Sequence, residues 1–455
     1  MTTDLPVSEI GATDTDLRQR VMRKVARRLI PFLGLAYLLN YLDRSNIAFA
    51  KLTMSGELGL TETMYGLASG LFFIGYIFFE VPSNLALQRF GARRWIARIM
   101  VSWGLVAALM AFVPSVGWLY TVRIVLGIAE AGFFPGIILY LTWWFPRGDR
   151  ARLVALFMVA LPLSSAVGAP LSGLILQHLD GFLGFEGWRV LFLVEGLPTI
   201  VLGVVAWFYL TDRPKQATWL APEEREWLDT TMAVDQADAG AAGHHSVRQS
   251  LGDGRVWALG GVYFAMAYSL FALSFFLPTI VAGFAGTFHT SYSVLETGLI
   301  VAIPFAVGAV AMLVWSKHSD HTGERVFHVA GPLLLVGVSI PVALYMHSPF
   351  TTMAIITVTA VGLFSTFPAF WYLPSSFLAG PAAASGIALI NTLGAIAGFI
   401  APYATGWLID HTGSARVGMW LVGSIAVVGA LGLAAMAKLI PSAAASHKLD
   451  RSTAS

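Results

Sequence analysis

Ionisable side chains inside an apolar stretch are the feature of this sequence that could do chemistry. Residues 37–46 read YLLNYLDRSN and lie within an apolar stretch over residues 29–54. An ionised side chain at the centre of a bilayer costs about 2.5–3.5 kcal/mol on insertion scales. Asp43 and Arg44 are therefore expected to face protein or a water-filled cavity rather than lipid.

Helical spacing separates the cation of this stretch from its acid. At 100° per residue, Tyr37, Tyr41 and Arg44 share one face of a helix, and Asn40 and Asp43 share the next. One face offers a guanidinium flanked by phenols, and the other offers a titratable carboxylate beside an amide. This pattern predicts an anion site next to a proton site, although the same two charges could instead cap the end of the first helix.

A second cation and acid lie in the apolar segment 117–141. Arg123, Gly127 and Glu130 fall at i, i+4 and i+7 on one helix face. At 1.5 Å per residue the two charges are about 10 Å apart along the axis, too far for an ion pair. A substrate or a side chain of the first apolar stretch would fit between them, and Gly127 and Ala131 allow another helix to approach closely. The alternative is that both charges form structural pairs with other helices.

Composition excludes several classes of protein. Of the 455 residues, 56% are hydrophobic and 12% are charged, whereas soluble domains carry about 25% charged residues. A net charge of +2 over this length is not typical of a nucleic-acid-binding protein. The absence of cysteine removes disulfides and thiolate chemistry. Since the histidines lack metal-site spacing and no P-loop, nucleophile elbow or zinc motif occurs, we expect no enzyme activity, no metal and no cofactor.

Hydropathy predicts an all-α membrane protein, because each membrane-spanning helix needs about 20 mostly apolar residues. The twelve predicted spans are 30–52, 63–88, 94–113, 117–141, 151–176, 189–210, 256–284, 295–316, 327–346, 351–372, 382–406 and 416–438.

The spans divide into two sets of six around a single long polar insertion. A short amphipathic helix is predicted near residues 222–232, followed by the flexible sequence ADAGAAGHH. The predicted organisation is an N-terminal tail (1–29), a six-helix bundle (30–210), a linker (211–255), a second six-helix bundle (256–438) and a C-terminal tail (439–455).

Basic residues in the short loops predict that both termini and the linker are cytoplasmic. The opposite loops hold only Lys51, with Arg189 and Arg416 at their edges. The basic residues on the predicted cytoplasmic side include Arg89, Arg93, Arg94, Arg147, Arg150, Arg152, Lys317 and Arg325.

The two halves repeat a loop sequence. NLALQRFGARR follows the second span, and SKHSDHTGER follows the eighth. Gly91 and Gly323 occupy the same place in the two turns, and Arg93 and Arg325 follow two residues later. Glycine suits a reversal of a few residues that requires positive φ.

This repeated loop resembles that of the major facilitator superfamily, whose two six-helix halves rock around a central cavity. The family signature is G-x-x-x-D-R-x-G-R-R, and the first copy has Asn84 and Gln88 where the family has Gly and Asp. The resemblance implies that the matching residues belong to gating loops: Arg89, Gly91, Arg93, Asp320, Gly323 and Arg325.

Four further runs are similar to the anion:cation symporter branch of that family. They are YLDRSNIAFA, EVPSNL, RIVLGIAEAGFFPGI and DRPKQATWL. This branch includes bacterial permeases for galactonate, tartrate, phthalate and 4-hydroxyphenylacetate. The resemblance implies a monomeric symporter of the cell membrane that imports an organic acid anion with protons, by alternating access. A uniporter or a proton-coupled exporter of another small solute is the alternative.

The resemblance also implies roles for the intramembrane charges. It assigns Asp43 and Glu130 to the coupling protons and Arg44 and Arg123 to the substrate carboxylate. Arginine suits that second role because its planar fork grips a carboxylate with two hydrogen bonds and does not deprotonate.

The second half contributes polar and aromatic candidates in place of charges. Asn391 lies in the small-residue helix ALINTLGAIAG; the resemblance implies contact with substrate, and hydrogen bonding between helices is the equal alternative. Trp371 and Tyr41 are predicted to line the site, although aromatic residues also serve as packing anchors. Glu80 is expected to pair with basic loops or the end of the fourth span, and Glu195 to be structural.

Overall fold

The structure is a computed structural model that describes residues 7–146, 157–241, 252–378 and 380–439. Every regular element in these ranges is a helix. The predicted cytoplasmic residues Arg147, Arg150 and Arg152, the start of the fifth predicted span and most of the predicted C-terminal tail lie outside the described residues.

The helices of the first half are α1 (Val7–Ser45), α2 (Ile47–Leu58), α3 (Glu62–Phe90), α4 (Ala92–Leu109), α5 (Val116–Glu130), α6 (Phe133–Thr142), α7 (Ala160–His178) and α8 (Gly187–Tyr209). Those that follow are α9 (Pro222–Ala241), α10 (Gly254–Ala282), α11 (Phe284–Phe288), α12 (Val294–Thr322), α13 (Val326–Ala343), α14 (Pro349–Phe370), α15 (Tyr372–Ser375), α16 (Gly380–Thr412) and α17 (Ala415–Ala435).

Eleven helical segments of the described chain are long and apolar enough to cross a membrane. They match the second to twelfth predicted spans; the segment Glu62–Phe90, for example, corresponds to the prediction 63–88. The first predicted span, 30–52, covers the last part of α1 and the first half of α2, with Asn46 between them. The polar side chains of Asn40, Asp43 and Arg44 lower the hydropathy of this segment, as expected for a helix that faces protein.

Three of the predicted helices differ from those observed. The fourth predicted span, 117–141, is interrupted between Glu130 and Phe133, where Gly132 has φ of 82°. The first span is not one continuous helix, since α1 ends at Ser45 and α2 begins at Ile47. The amphipathic helix of the linker is longer than 222–232, because α9 continues to Ala241. Its last part is rich in alanine, the strongest helix former, which explains the extension.

Glycines bring the two halves of the chain into close contact around the end of the bundle that carries Glu62, hereafter the Glu62 end. A Cβ at Gly66 would overlap the carbonyl of Pro402, and one at Gly406 would overlap the carbonyl of Glu62. These contacts join α3 to α16. A Cβ at Gly298 would likewise overlap the carbonyl of Ala169, so α12 and α7 meet in the same way.

Hydrogen bonds between the halves lie at the same end. Lys51 Nζ donates across the halves to Thr279 Oγ1 of α10 at 3.1 Å, and within the first half to Glu62 Oε2 at 2.5 Å. The carboxylate of Asp410, near the end of α16, accepts from the backbone N–H groups of Glu62 at 3.1 Å and Thr63 at 2.8 Å. Donors at a helix N-terminus are otherwise unpaired, so Asp410 of the second half caps α3 of the first.

The predicted gating loops lie where α3 and α12 end. Gly91 has φ of 90° and Gly323 has φ of 67°, which confirms the expected positive-φ turns. Beside Gly91, Asp212 Oδ1 accepts from the backbone N–H of Arg93 at 2.8 Å. The first gating loop has Gln88 where the family has Asp. The carboxylate that contacts the start of α4 is that of Asp212, from the distant segment DRPKQATWL.

The other members of the gating set have local partners. Arg325 Nη1 lies 2.8 Å from Asp320 Oδ1 and donates to Ser319 Oγ at 2.9 Å. The guanidinium carbon of Arg89 lies 5.6 Å from the ring centre of Phe90. These contacts hold each arginine near its own loop.

Candidate functional site

A cavity lies between the two halves, and α1 contributes one of its walls. Its volume is about 60 Å³, measured over the positions that the centre of a water molecule can occupy. The lining residues that carry polar atoms are Tyr37, Asn40, Tyr41, Arg44, Tyr76, Tyr263 and Asn391. Tyr37, Tyr41 and Arg44 line this cavity together, as their predicted common face requires. Asn40, predicted to share the other face with Asp43, also lines it, whereas Asp43 does not.

Arg44 lies at the cavity wall in an ion pair with Glu130. Arg44 Nη2 donates to Glu130 Oε1, which joins α1 to the last turn of α5. The Arg44 side chain is 11% exposed and that of Glu130 is 1% exposed, so the cation reaches the cavity and the acid lies behind it. Arg44 Nε and Glu130 Oε2 are buried without hydrogen-bond partners, which leaves capacity for a further ligand or proton.

Aromatic rings surround this guanidinium. Its central carbon lies 4.9 Å from the ring centre of Phe72, 5.1 Å from that of Tyr41 and 5.4 Å from that of Tyr76. Electron-rich ring faces attract a cation. The Arg44 charge is therefore supported even when an acid or anion is not bound to it.

Asp43 points away from the cavity and makes no contact with Arg44. Its Oδ2 accepts from Trp103 Nε1 of α4 at 2.7 Å and from Thr199 Oγ1 of α8 at 2.9 Å. Its Oδ1 is buried without a partner. The prediction that the neighbouring charges need not pair is confirmed.

Arg123 is fully buried between α5 and α3. Its Nε donates to the carbonyl of Ala68 at 3.1 Å and its Nη2 to that of Ser69 at 3.3 Å, while Nη1 has no partner. Arg123 is not among the residues that line the described cavity, so its predicted contact with substrate stays a prediction. The close approach predicted at Gly127 is confirmed, since a Cβ there would overlap the carbonyl of Phe72.

Asn391 reaches the cavity from α16 and contacts the first half of the chain. Its Nδ2 donates to Glu80 Oε1 of α3 at 2.8 Å. The expectation that Glu80 pairs with basic loops or the end of the fourth span is therefore wrong: the carboxylate turns inward to a neutral amide. Asn391 therefore forms a hydrogen bond between two helices, which was one of its two predicted roles. It also lines the cavity, and its contact with substrate stays a prediction.

Aromatic residues of the second half occupy different positions from those predicted. Trp371 packs behind Tyr263, with 4.9 Å between ring centres, and Tyr263 lines the cavity. Tyr268 is fully buried and is not among the lining residues. Tyr263 lies on the same helix, five residues before Tyr268.

This arrangement can exchange one negative group for another at a fixed cation. Glu130 holds Arg44 in the absence of solute, and an anion that enters the cavity would meet the same guanidinium. Proton uptake by Glu130 would remove the competing charge. No group of three or more His, Cys, Asp or Glu residues suited to a metal ion occurs among the described residues.

Comparison with known proteins gives a consistent picture. The sequence profile of the Major Facilitator Superfamily matches residues 33–402. A protein from Agrobacterium vitis whose name assigns it to tartrate transport is 46% identical over 94% of this chain and 97% of its own length. A quinolone resistance transporter from Acinetobacter baumannii is 36% identical over 91% of this chain and 94% of its own length.

A solved structure has the same fold. The crystal structure of a bacterial homologue of the human lysosomal transporter Spinster, in an inward-facing and unoccupied conformation, superposes with a TM-score of 0.72. It covers 92% of this chain and 97% of the other, at 18% sequence identity.

Proposed function

Because the chain belongs to the Major Facilitator Superfamily and is a multi-pass membrane transporter rather than an enzyme, we propose that it imports an organic acid anion together with protons. The observation that carries this proposal is the Arg44–Glu130 ion pair at the wall of the cavity between the halves. A cation that reaches the cavity beside a buried acid suits a site where a substrate anion and a proton are bound together.

Competition for Arg44 couples the two ligands in this proposal. When Glu130 is ionised, it occupies the guanidinium and the cavity has little attraction for an anion. When Glu130 takes up a proton, Arg44 keeps its charge and a substrate carboxylate replaces the acid. For a substrate with one carboxylate, the protonated and loaded site has one positive and one negative charge, as does the empty ionised site. Both can then be carried through the closed intermediate at similar cost, and the second carboxylate of a tartrate-like acid requires a further proton or cation.

Asp43 is the second proton site in this scheme. Its oxygen accepts two neutral hydrogen bonds, and among the described residues it has no ion-pair partner. Burying an unpaired carboxylate is costly, and a proton removes that cost.

Arg123 is the second cation that we propose for the substrate. It precedes Glu130 by about two turns on the same helix, nearer the Glu62 end of the bundle. The close contacts around that end cover it in this conformation. A substrate that arrives when the Glu62 end is open would meet Arg123 before it reaches Arg44.

Direction and location complete the proposal. The basic loops favour a cell membrane location with both termini and the linker in the cytoplasm, so the Glu62 end faces outward. Two six-helix bundles, 30–210 and 256–438, would move as units around the site, as is usual for transporters built from repeats. The name of the Agrobacterium vitis relative favours a tartrate-like acid, and the hydrogen-bonding groups of Asn40, Tyr41 and Asn391 suit a hydroxylated substrate.

The test is proton movement caused by substrate. The purified protein would be placed in proteoliposomes, and L-tartrate, D-galactonate and 4-hydroxyphenylacetate added outside in turn while a dye reports external pH. We expect at least one acid to alkalinise the outside, and expect its uptake to rise when the outside is made acidic. Uptake without any proton movement would indicate a uniporter and contradict the proposal.

A proton-coupled exporter is the second candidate, favoured by the identity to a quinolone resistance transporter. In the same vesicles, a fluoroquinolone added on the linker side would then drive protons in the opposite direction to the drug. Arg44 at the cavity wall argues against a purely cationic substrate, because like charges repel.

A further inference from the structure

Glu195 of α8 is a buried acid that the proposed coupling scheme has not used. It is 2% exposed. Its Oε1 accepts from Ser172 Oγ of α7 at 2.8 Å, and its Oε2 is buried without a partner. Its Oε1 is thus paired with a neutral hydroxyl, and no ion pair to Glu195 occurs among the residues that the structure describes.

Asp43 is the charged neighbour of Glu195. The two carboxyls lie within range of each other's charge, and Thr199, one helical turn after Glu195, donates to Asp43 Oδ2. The other helices packed here contribute neutral groups that face this region: Asn46 at the start of α2, Trp103 from α4 and Ser172 from α7. The buried amide of Asn46 interacts with the Glu195 carboxyl, and neither of its polar atoms has another hydrogen-bond partner.

Two buried carboxylates without a cation are not stable as a pair of anions. Each would have to leave water without compensation, and each would repel the other. A proton on one of them removes both penalties, and the coupled pair then titrates as a unit. The geometry therefore requires a resident proton at this cluster while the surroundings stay closed.

Serine hydroxyls line small cavities between this cluster and Arg44. A small cavity beside Arg44 and a second one beside Ser172 share Ser45, Ser165 and Ser274 in their walls. Hydroxyls and single waters can pass a proton by exchanging hydrogen bonds. Glu195 thus has a polar route to the cavity that does not pass through Arg44.

We propose that Glu195 is a third proton-carrying group, which shares a proton with Asp43 and exchanges it with the cavity along Ser172, Ser165 and Ser45. The step moves one proton from the Glu195 carboxyl to a cavity water; no bond between heavy atoms forms or breaks, and Glu195 becomes an anion. The inference rests on the proposed proton-coupled transport for its function, whereas the presence of the proton can be tested without transport.

Infrared difference spectroscopy of the purified protein tests the proton directly. We expect wild type near neutral pH to show the C=O stretch of a protonated carboxyl that weakens in Glu195→Gln and is retained in Glu195→Asp. Glu223→Gln is the matched control, because Glu223 is an exposed acid of α9. An unchanged carboxyl band in Glu195→Gln overturns the proposal.

Transport measurements separate this inference from the proposed function. The number of protons carried per L-tartrate, or per whichever of the three acids is transported, should fall by one in Glu195→Gln, while exchange of labelled for unlabelled substrate persists. Ser172→Ala keeps the carboxyl and should slow proton release without changing the ratio. If wild type moves no protons with any acid, the proposed function fails and the spectra still decide whether Glu195 holds a proton. An unchanged ratio in a coupled Glu195→Gln protein refutes a role in coupling.

Discussion

Asp43 and Arg44 adjoin in sequence, yet their side chains belong to different parts of the site. Arg44 faces the cavity and pairs with Glu130, whereas Asp43 turns toward Trp103 and Thr199. The rotation of about 100° between successive helical residues produces this separation. One turn of α1 can therefore hold an anion on one side and a proton on the other.

Replacing Asp43 by Asn should abolish accumulation driven by a pH gradient and leave substrate exchange in place. Asn keeps an oxygen that accepts from Trp103 and Thr199, but it cannot take up a proton. Uptake of the transported acid against its gradient, compared with exchange in the same vesicles, measures the difference. Asp16→Asn, an exposed change on the same helix, is the control. Accumulation that survives in Asp43→Asn would show that Asp43 carries no coupling proton.

Replacing Arg44 by Lys should raise the KM for the transported acid by about tenfold, equivalent to about 1.4 kcal/mol. A lysine ammonium is a point charge and cannot hold Glu130 or a carboxylate with a planar fork. Initial uptake rates over a range of substrate concentrations give the result. Arg27→Lys, on an exposed turn of α1, should match wild type. An unaltered KM in Arg44→Lys would remove Arg44 from the substrate site.

Predictions about single residues succeeded where the 3.6-residue period of a helix alone decides which side chains share a face. The shared face of Tyr37, Tyr41 and Arg44 follows from helical spacing. The pairing of Glu80 with Asn391 joins residues 311 positions apart, and no local pattern encodes which distant helix a side chain will meet. For the same reason Tyr263, one of many aromatic residues, was not predicted as a lining residue.

At the scale of helices, close contact between α3 and α5 depends on Gly127. Gly127→Ala places a Cβ on the carbonyl of Phe72, and backbone cannot yield as a flexible side chain can. We expect a loss of stability of about 1–3 kcal/mol, the usual range for overpacking, seen as a lower melting temperature in detergent. Gly117→Ala on the same helix meets nothing within 4 Å and should not lower the melting temperature. Equal melting of the two variants would contradict this account of the contact.

The linker helix α9 is attached to α1 through Glu224. Lys24 Nζ lies 2.6 Å from Glu224 Oε1, and Arg20 Nε lies 3.9 Å from the same oxygen. Burial raises the pKa of Glu224, but hydrogen bonds from Lys24 and the backbone of Ala221, with the charges of Lys24 and Arg20, outweigh it and leave the pKa below its ordinary value.

A lowered pKa means that this attachment is complete above the ordinary glutamate pKa of about 4.3 and is lost as pH falls through the lowered value. Glu224→Gln should therefore loosen α9 at neutral pH, by about 0.5–1 kcal/mol because both cations are about half exposed. Limited proteolysis of the linker should be faster in Glu224→Gln than in wild type at pH 7, and the two should converge in acid. Glu223→Gln, an exposed neighbour, should be cleaved like wild type; equal rates for Glu224→Gln would contradict the attachment.

Hydropathy and turn chemistry predicted most helices, because long apolar runs have few alternatives to a membrane-spanning helix. The break between α1 and α2 at Asn46 was not predicted, since no proline or glycine marks it. Its polar surroundings, Asp43 and Glu195, come from two different helices and are brought together only by tertiary packing.

At the scale of the whole molecule, the contacts around the Glu62 end show a conformation that is closed at that end. Glycine-to-carbonyl contacts between α3 and α16 and between α7 and α12 close the bundle there. The Lys51–Glu62–Thr279 set and the Asp410 cap add hydrogen bonds to the same closure. In the proposed alternating-access cycle, those contacts that join the two halves separate in the other state.

Gly66→Ala should shift the population toward a state open at the Glu62 end, because the new Cβ overlaps the carbonyl of Pro402 in the closed state. The chain has no cysteine, so Ser274→Cys, at the wall of the cavities beside Arg44, can serve as a single reporter. A membrane-impermeant maleimide applied to the outward face should label it faster in Gly66→Ala. Gly261→Ala, in open space on α10, is the control. Equal labelling in both variants would show that this contact does not hold the closed state.

The closure at the Glu62 end depends little on attraction between exposed charges. Its glycine-to-carbonyl contacts are neutral, and the carboxylate of Asp410 binds backbone N–H groups rather than a cation. In the Lys51–Glu62 ion pair the side chains are 5% and 27% exposed. Dissolved salt weakens attractions between exposed charges but has little effect on buried ones. The seal against leakage of ions should therefore be equally tight in dilute and in saline media.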